Sequence, residues 1–106
     1  MVVLGAGKSG LAASELLLSL GARVTLWDER PAEELGAESL AGRGVALRGG
    51  TALGGVDLGR PDLVVVSPGV PLRTASIVRA REHGVPIWGE IELAARFVPP
   101  ERWFSE

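Results

Sequence analysis

The stretch that decides the fold is V-V-L-G-A-G-K-S-G at residues 2–10 of a 106-residue chain. Residues 2–4 form an apolar run typical of a buried strand, and the glycines that follow predict a turn. Gly5, Gly7 and Gly10 have the spacing G-x-G-x-x-G. In that pattern the first glycine makes a tight turn, the second lets a diphosphate approach the backbone, and the third allows close packing of helix on strand. We therefore expect a nucleotide diphosphate at this loop.

A helix and a second strand follow the loop. Apolar residues with helical spacing continue to residue 20, and Gly21 is placed to end the helix in a left-handed conformation. Residues 23–27, R-V-T-L-W, predict a second strand, which Asp28 closes. Strand, helix and strand form a βαβ unit, for which a right-handed crossover is expected.

The middle of the chain predicts only short elements. Residues 36–59 hold more than half of the fifteen glycines, which disfavours long helices or strands there. We expect a short helix over residues 32–40 and a short third strand at residues 45–47. An unbroken apolar run at residues 63–66 then predicts a fourth strand, which Ser67-Pro68-Gly69 ends abruptly.

The last third of the chain predicts a helix, a strand and a helix. Thr74 is a candidate N-cap for a helix that runs to His83, with Gly84 as its end. Residues 85–88 predict a fifth strand and residues 90–98 a last helix. Glu90 and Glu92, within that helix, are interpreted as carboxylates of a helix start and not as a catalytic pair.

Apolar strands that alternate with helices predict an α/β fold. We expect a Rossmann-like, doubly wound parallel sheet of about five strands with helices on both faces. Such sheets bind ligands at the carboxyl ends of their strands, where the strand order reverses. In the commonest winding this crevice lies between the first and fourth strands. Its walls would then be the loop at residues 5–10 and the loop at residues 67–69.

Composition excludes several classes of function. Hydrophobic residues make up 46% of the chain, which suits one compact domain over residues 1–106. The net charge of −2 predicts no basic face for nucleic acid. The absence of cysteine and the single histidine exclude disulfides and the usual zinc sites. The chain has no long apolar run for a membrane span and no signal peptide, so we expect a cytoplasmic monomer.

Gly7-Lys8-Ser9 resembles the end of the ATP phosphate loop G-x-x-x-x-G-K-[ST]. That motif requires a first glycine at the position where Val2 stands, so an ATP site is not expected here. An NAD(P)-binding domain of an oxidoreductase stays open as an alternative, with Asp28 on a ribose hydroxyl. A third hypothesis for the function is a regulatory module that senses a nucleotide and has no enzyme attached.

Two later blocks are more specific than the glycine loop. They are V-V-V-S-P-G-V-P at residues 64–71 and G-V-P-I-W-G-E-I-E-L at residues 84–93. Together with the loop, they resemble the N-terminal domain of the Mur ligases, in particular the branch that adds D-glutamate. The resemblance covers nearly the whole chain and is weakest in the glycine-rich middle.

The resemblance implies a UDP-binding domain. The substrate would be UDP-N-acetylmuramoyl-L-alanine, to which the full-length ligase adds D-glutamate through an acyl phosphate, using ATP and Mg²⁺. The central ATP-binding and C-terminal domains of such a ligase lie outside residues 1–106. By itself this chain is therefore expected to bind substrate without a cofactor and to have no ligase activity. The implied substrate-binding residues are Gly7, Lys8, Ser9, Asp28, Glu29, Arg30, Ser67, Pro68 and Gly69.

These residues fall into three groups by their implied neighbours. The group at residues 7–9 would lie near the diphosphate, the group at residues 28–30 around the uracil, and the group at residues 67–69 beside the nucleotide. Lys8 stands where the family pattern has an apolar residue, so a phosphate contact and a solvent-facing side chain both stay open. Glu29 stands where a small hydroxyl residue is common, so only its backbone contact is implied. No catalytic residue or metal ligand is expected.

Overall fold

The structure, a computed structural model, describes residues 1–97. Within them the chain alternates short strands with helices, as predicted. The strands are β1 Val2–Leu4, β2 Thr25–Trp27, β3 Ala46–Arg48, β4 Val64–Val66 and β5 Ile87–Gly89. The helices are α1 Lys8–Ser19, α2 Glu38–Gly42, α3 Ala75–Glu82 and α4 Glu90–Phe97. Single 3-10 turns lie at Ala32–Glu34 and Leu53–Gly55.

The strands form one parallel sheet in the order β3-β2-β1-β4-β5. The chain winds outward from β1 to β3, then returns to place β4 on the other side of β1. Val3 on β1 is paired with Leu26 on β2 and with Val65 on β4. This order confirms the doubly wound α/β fold, and it places the reversal of strand order between β1 and β4.

Both faces of the sheet are covered, which explains why its central strands carry no polar residue. Every residue of β1 and β4 is buried. On one face Val3 and Val65 belong to a core cluster with Leu17 of α1 and Leu93 of α4. On the other face, residues of the same two strands belong to a second cluster with Ile77 of α3. Strands buried on both sides are expected to be continuously apolar.

Two glycines of the first loop are required by the fold itself. Gly5 has φ +95°, and a Cβ there would lie 2.9 Å from the Cβ and Oγ of Ser67. A Cβ at Gly10 would lie 1.8 Å from the carbonyl oxygen of Gly5. Only glycine allows α1 to start this close to the end of β1.

Three local predictions need correction. The second strand begins at Thr25 and not at residue 23. The helix expected over residues 32–40 is instead a 3-10 turn and then α2, because Gly36, at φ +64°, interrupts the helical backbone between them. Thr74 has the N-cap position of α3, but its hydroxyl donates to the carbonyl of Pro71 at 2.6 Å and does not cap the helix.

Most other boundaries agree with the sequence to within two residues. Gly21 and Gly84 have the predicted left-handed conformation, at φ +84° and +79°. Residue 98, the expected end of the last helix, lies outside the described residues. No helix among residues 1–97 is long and apolar enough to cross a membrane.

We predict that Gly10→Ala destabilises the chain strongly, whereas Gly7→Ala does not. The new methyl group at residue 10 would clash with backbone, so the free energy of unfolding should fall by about 3 kcal/mol or more. At Gly7, the N-cap of α1, the loss should stay below about 1 kcal/mol, because the space beside it is open. Urea unfolding of the two variants measures the difference. Equal losses would contradict the close packing of α1 on β1.

Candidate functional site

A crevice of about 420 Å³ opens at the carboxyl edge of the sheet, where the strand order reverses. It lies between the loop after β1 and the loop after β4, as the sequence predicted. Its lining combines backbone-rich turns with a few side chains. The lining residues are Gly5, Ala6, Gly7, Ser9, Asp28, Glu29, Leu53, Ser67, Pro68, Gly69 and Val70.

The crevice brings together seven of the nine predicted site residues: Gly7, Ser9, Asp28, Glu29, Ser67, Pro68 and Gly69. Lys8 and Arg30 are exposed and do not line it. Lys8 is the first residue of α1, next to the crevice wall. Arg30 instead pairs its guanidinium with Asp28, at 3.0 Å between Nε and Oδ1. Contact of any of the nine with a ligand stays a prediction.

Gly7 differs from the other two glycines of the motif because the fold does not require it. Its backbone is extended, with φ −69° and ψ −177°, a conformation open to any residue. A Cβ at Gly7 would meet nothing within 4 Å. Gly69, on the opposite wall, is likewise exposed and free of close neighbours. Two glycines therefore leave the mouth of the crevice open where side chains would fit.

The start of α1 supplies hydrogen-bond donors at the same place. The first N–H groups of an α-helix have no partner within the helix, and the helix dipole makes this end positive. Helix α1 begins at Lys8, and the residues on either side of Lys8, Gly7 and Ser9, both line the crevice. The unpaired N–H groups of the helix start therefore lie at the crevice wall. A phosphate group can accept hydrogen bonds from the backbone N–H groups at a helix start when no side chain blocks its approach.

Asp28 ties the end of β2 to the glycine loop. It is only 8% exposed. Its Oδ2 accepts the N–H of Ala6 at 2.7 Å, and its Oδ1 accepts the N–H of Arg30 at 2.8 Å. The Arg30 guanidinium adds a 3.0 Å bond to Oδ1 and a 3.3 Å bond to Oδ2. The carboxylate therefore holds two of the loops that line or adjoin the crevice.

Opposing effects act on the acidity of Asp28. Burial would raise the pKa of its carboxyl, but the hydrogen bonds from the Arg30 side chain and from the N–H groups of Arg30 and Ala6 outweigh it. The positive charge of Arg30 acts in the same direction as these bonds. The net result is a pKa below the usual range for aspartate, so the group is ionised at neutral pH.

Ser67 links the two walls of the crevice. Its hydroxyl donates to the carbonyl of Gly5 at 3.0 Å, and its N–H donates to the carbonyl of Leu4 at 3.0 Å. Because these bonds join residues far apart in sequence, they fix the width of the crevice. The hydroxyl has a structural role even before any ligand is considered.

The sequence did not single out three residues that shape the site. Leu53 and Val70 form apolar lining beside the glycine loops. Gly49 supports the loop after Asp28, because a Cβ there would lie 2.5 Å from the N of Ala32 and the O of Arg30. The Gly-Gly pair at residues 49–50 was the available signal, but it was interpreted only as a break in regular structure. Among residues 1–97, no group of acidic, histidine or cysteine side chains could hold a metal.

Comparison with known proteins gives one family. The profile of the Mur ligase MurD-like N-terminal domain matches residues 1–89. UDP-N-acetylmuramoylalanine–D-glutamate ligase of Anaeromyxobacter dehalogenans is 48% identical over 98 residues, which cover 92% of this chain and 21% of that protein. The ligase of the same name from Acidobacterium capsulatum is 49% identical over 99 residues, covering 92% of this chain and 22% of that protein.

A solved structure supports the fold. UDP-N-acetylmuramate-alanine ligase MurC of Thermotoga maritima superposes with a TM-score of 0.72 at 24% sequence identity. The match covers 95% of this chain and 23% of that protein. The chain thus spans about a fifth of the length of the curated relatives described above.

We predict that Asp28→Asn makes the chain less stable at neutral pH, by about 1–3 kcal/mol for weakened hydrogen bonds to a charged group. Since the folded pKa of Asp28 lies below its unfolded value, the ionised carboxylate stabilises the fold fully above the ordinary aspartate pKa, about 4. This stabilisation is lost as the pH falls through the folded pKa. Urea unfolding from pH 7 to pH 3 should therefore show the gap between wild type and variant shrinking in acid.

Glu29→Gln, which neutralises the exposed carboxylate next to Asp28, is the matched control and should behave like wild type across this range. A gap between wild type and Asp28→Asn that stays constant or grows in acid would contradict the assigned role of the carboxylate.

Proposed function

Because the chain belongs to the Mur ligase MurD-like N-terminal domain family, we propose that it binds the UDP part of UDP-N-acetylmuramoyl-L-alanine. We further propose that it acts within a longer ligase that adds D-glutamate to this substrate. In that protein ATP and Mg²⁺ would be bound by domains outside these 106 residues. The chain itself would hold the substrate and contribute no catalytic group.

The open space at Gly7 is the observation that carries this proposal. Packing within the fold requires glycine at residues 5 and 10, whereas the space beside Gly7 is open, which supports the approach of a ligand there. A diphosphate placed there would accept hydrogen bonds from the first N–H groups of α1. Ser9 lies on the same wall and offers a hydroxyl donor.

The segment at residues 28–30 is the proposed contact for the uracil. A carboxylate has about four acceptor directions, and Asp28 already accepts three bonds of 3.0 Å or less and one of 3.3 Å. The longest, from Nη2 of Arg30, is the one that a uracil N3–H would replace. Glu29 would contribute through its backbone, since its side chain is exposed.

The family match favours this function over an NAD(P)-dependent oxidoreductase. The oxidoreductase hypothesis rests on the glycine loop and Asp28, and many nucleotide-binding domains share these two features. The family match extends over residues 1–89 and includes the loop after β4. That loop forms the second wall of the crevice through Ser67, Pro68 and Gly69.

We predict that the chain binds UDP in preference to NADH and ATP. Affinity for UDP should be in the millimolar range, about −4 kcal/mol, because only one domain of the proposed ligase holds the ligand. Gly7→Val should weaken UDP binding at least tenfold, since its branched side chain would fill the space left for the diphosphate. Calorimetric titration of the three ligands, with wild type and variant, measures both effects.

Gly42→Val is the matched control, because Gly42 also has open space beside it but lies in α2, outside the crevice. It should bind UDP like wild type. Tighter binding of NADH than of UDP would contradict the proposed ligand, and undiminished UDP binding by folded Gly7→Val would contradict the proposed position of the diphosphate.

We also predict that Asp28 distinguishes uracil from cytosine. Uracil N3 donates a hydrogen, whereas cytosine N3 accepts one, so an ionised aspartate placed at N3 accepts a bond from uracil but faces a lone pair of cytosine. An asparagine offers both a donor and an acceptor, so Asp28→Asn should reduce the ratio of UDP to CDP affinity by about threefold to tenfold. Titration of both nucleotides on both proteins gives this ratio. If the two nucleotides weaken equally, Asp28 does not contact the base.

A further inference from the structure

Glu90 places a buried oxygen where no group of the described chain bonds to it. It is the first residue of α4, directly after β5. Its Oε1 is shielded from solvent and has no hydrogen-bond partner among residues 1–97. A buried polar atom without a partner costs free energy, and such atoms in native proteins call for an explanation. As a helix-start carboxylate, Glu90 would need no burial, so that first interpretation does not account for it.

Two grooves meet at Glu90. The first, of about 310 Å³, runs between α1 and α4 and includes Ser9 and Ala12. The second, of about 430 Å³, lies beside the loop after β4 and includes Ser67 and Pro68. Ser9 also lines the candidate nucleotide crevice, and so do Ser67 and Pro68. Each groove therefore continues from one wall of that crevice to Glu90.

We propose that Glu90 accepts a hydrogen bond from the sugar of a UDP-linked substrate. The inference rests on the proposed function, in which the diphosphate lies against Gly7 and Ser9. A group attached to that diphosphate leaves the crevice past Ser9, and the groove between α1 and α4 leads it to Glu90. Glu90 is then a specificity-determining residue of the same site, beyond the nucleotide.

The chemistry of the carboxylate defines what it selects. A carboxylate oxygen accepts hydrogen bonds, so the partner of Oε1 must be a donor such as a hydroxyl or an amide N–H. An N-acetylated sugar carries both kinds of donor. A carboxylate of the ligand would be repelled by Glu90 and by the exposed Glu92, so the acyl chain of the substrate must point away from the start of α4.

The nearest cation on the same helix is already committed elsewhere. Arg96 lies 4.4 Å above the ring of Trp88 and 3.9 Å from Glu92 Oε2. Neither contact involves Glu90. Arg81 of α3 lines the groove beside the loop after β4 together with Glu90, but among residues 1–97 neither arginine forms an ion pair with Glu90, and its Oε1 is left without a donor.

Titration with two ligands tests the inference. UDP and UDP-N-acetylmuramoyl-L-alanine are added to wild type, Glu90→Ala, Glu90→Gln and the control Glu92→Gln. We expect Glu90→Ala to weaken the sugar-containing ligand about tenfold, the usual scale for a lost bond to a charged group, and to leave UDP within twofold. Glu90→Gln, which keeps an acceptor but loses the charge, should give an intermediate loss. Glu92→Gln should change neither affinity.

A second variant tests the same inference independently, in case substitution at residue 90 disturbs folding. Ala12→Leu extends an exposed residue of α1 into the groove between α1 and α4 and should also weaken only the sugar-containing ligand. Unchanged affinity for that ligand in Glu90→Ala, or equal losses for both ligands, would overturn the role of Glu90 while leaving the UDP site intact. Failure of wild type to bind UDP would overturn the proposed function, and this inference with it.

Discussion

The close approach of α1 to the loop after β1 is the constraint on which the site depends. At Gly10 the helix passes so near the Gly5 carbonyl that no side chain fits between them. This contact brings the first turn of α1 to the carboxyl edge of the sheet, beside the reversal of strand order. Ser67 then fixes the opposite wall through its bond to the same carbonyl, and Asp28 holds the third segment through the N–H of Ala6. The crevice is thus framed by hydrogen bonds that exist without a ligand.

The features that could be predicted from the sequence are those with a strong local cause. The buried runs of β1 and β4 are apolar because both faces of the sheet are covered. The unbroken apolar pattern is sufficient to identify both runs as strands from the sequence. The glycine loop and the Ser-Pro-Gly turn contribute five of the predicted residues to one crevice, and the end of the second strand contributes Asp28 and Glu29. The side of the crevice formed by Leu53 was not predictable, because its position is set by contact with the second core cluster and not by local sequence.

The sequence is least informative where two hydrogen-bond partners compete for one group, or where a separate segment approaches the backbone. Thr74 satisfies the pattern of an N-cap, yet its hydroxyl is taken by the Pro71 carbonyl. From the sequence, Gly49 predicts only irregular structure. In the fold its Cα lies so close to the backbone of Arg30 that no side chain would fit between them. Arg30 forms an ion pair with Asp28, and its expected contact with a ligand stays a prediction. For Thr74 and Arg30 the partner is only three or two residues away, and residue type and spacing do not decide between this local partner and the expected one.

We infer that the backbone at the start of α1 binds a diphosphate in the crevice between β1 and β4. Amide chemical-shift mapping tests it most directly, with UDP titrated into the isotope-labelled 106-residue chain. We expect saturable shifts concentrated at residues 7–10 and 67–69, with the strongest at the first amides of α1. Saturable shifts located elsewhere, such as the groove between α3 and the loop at residues 57–59, with residues 7–10 unaffected, would contradict it.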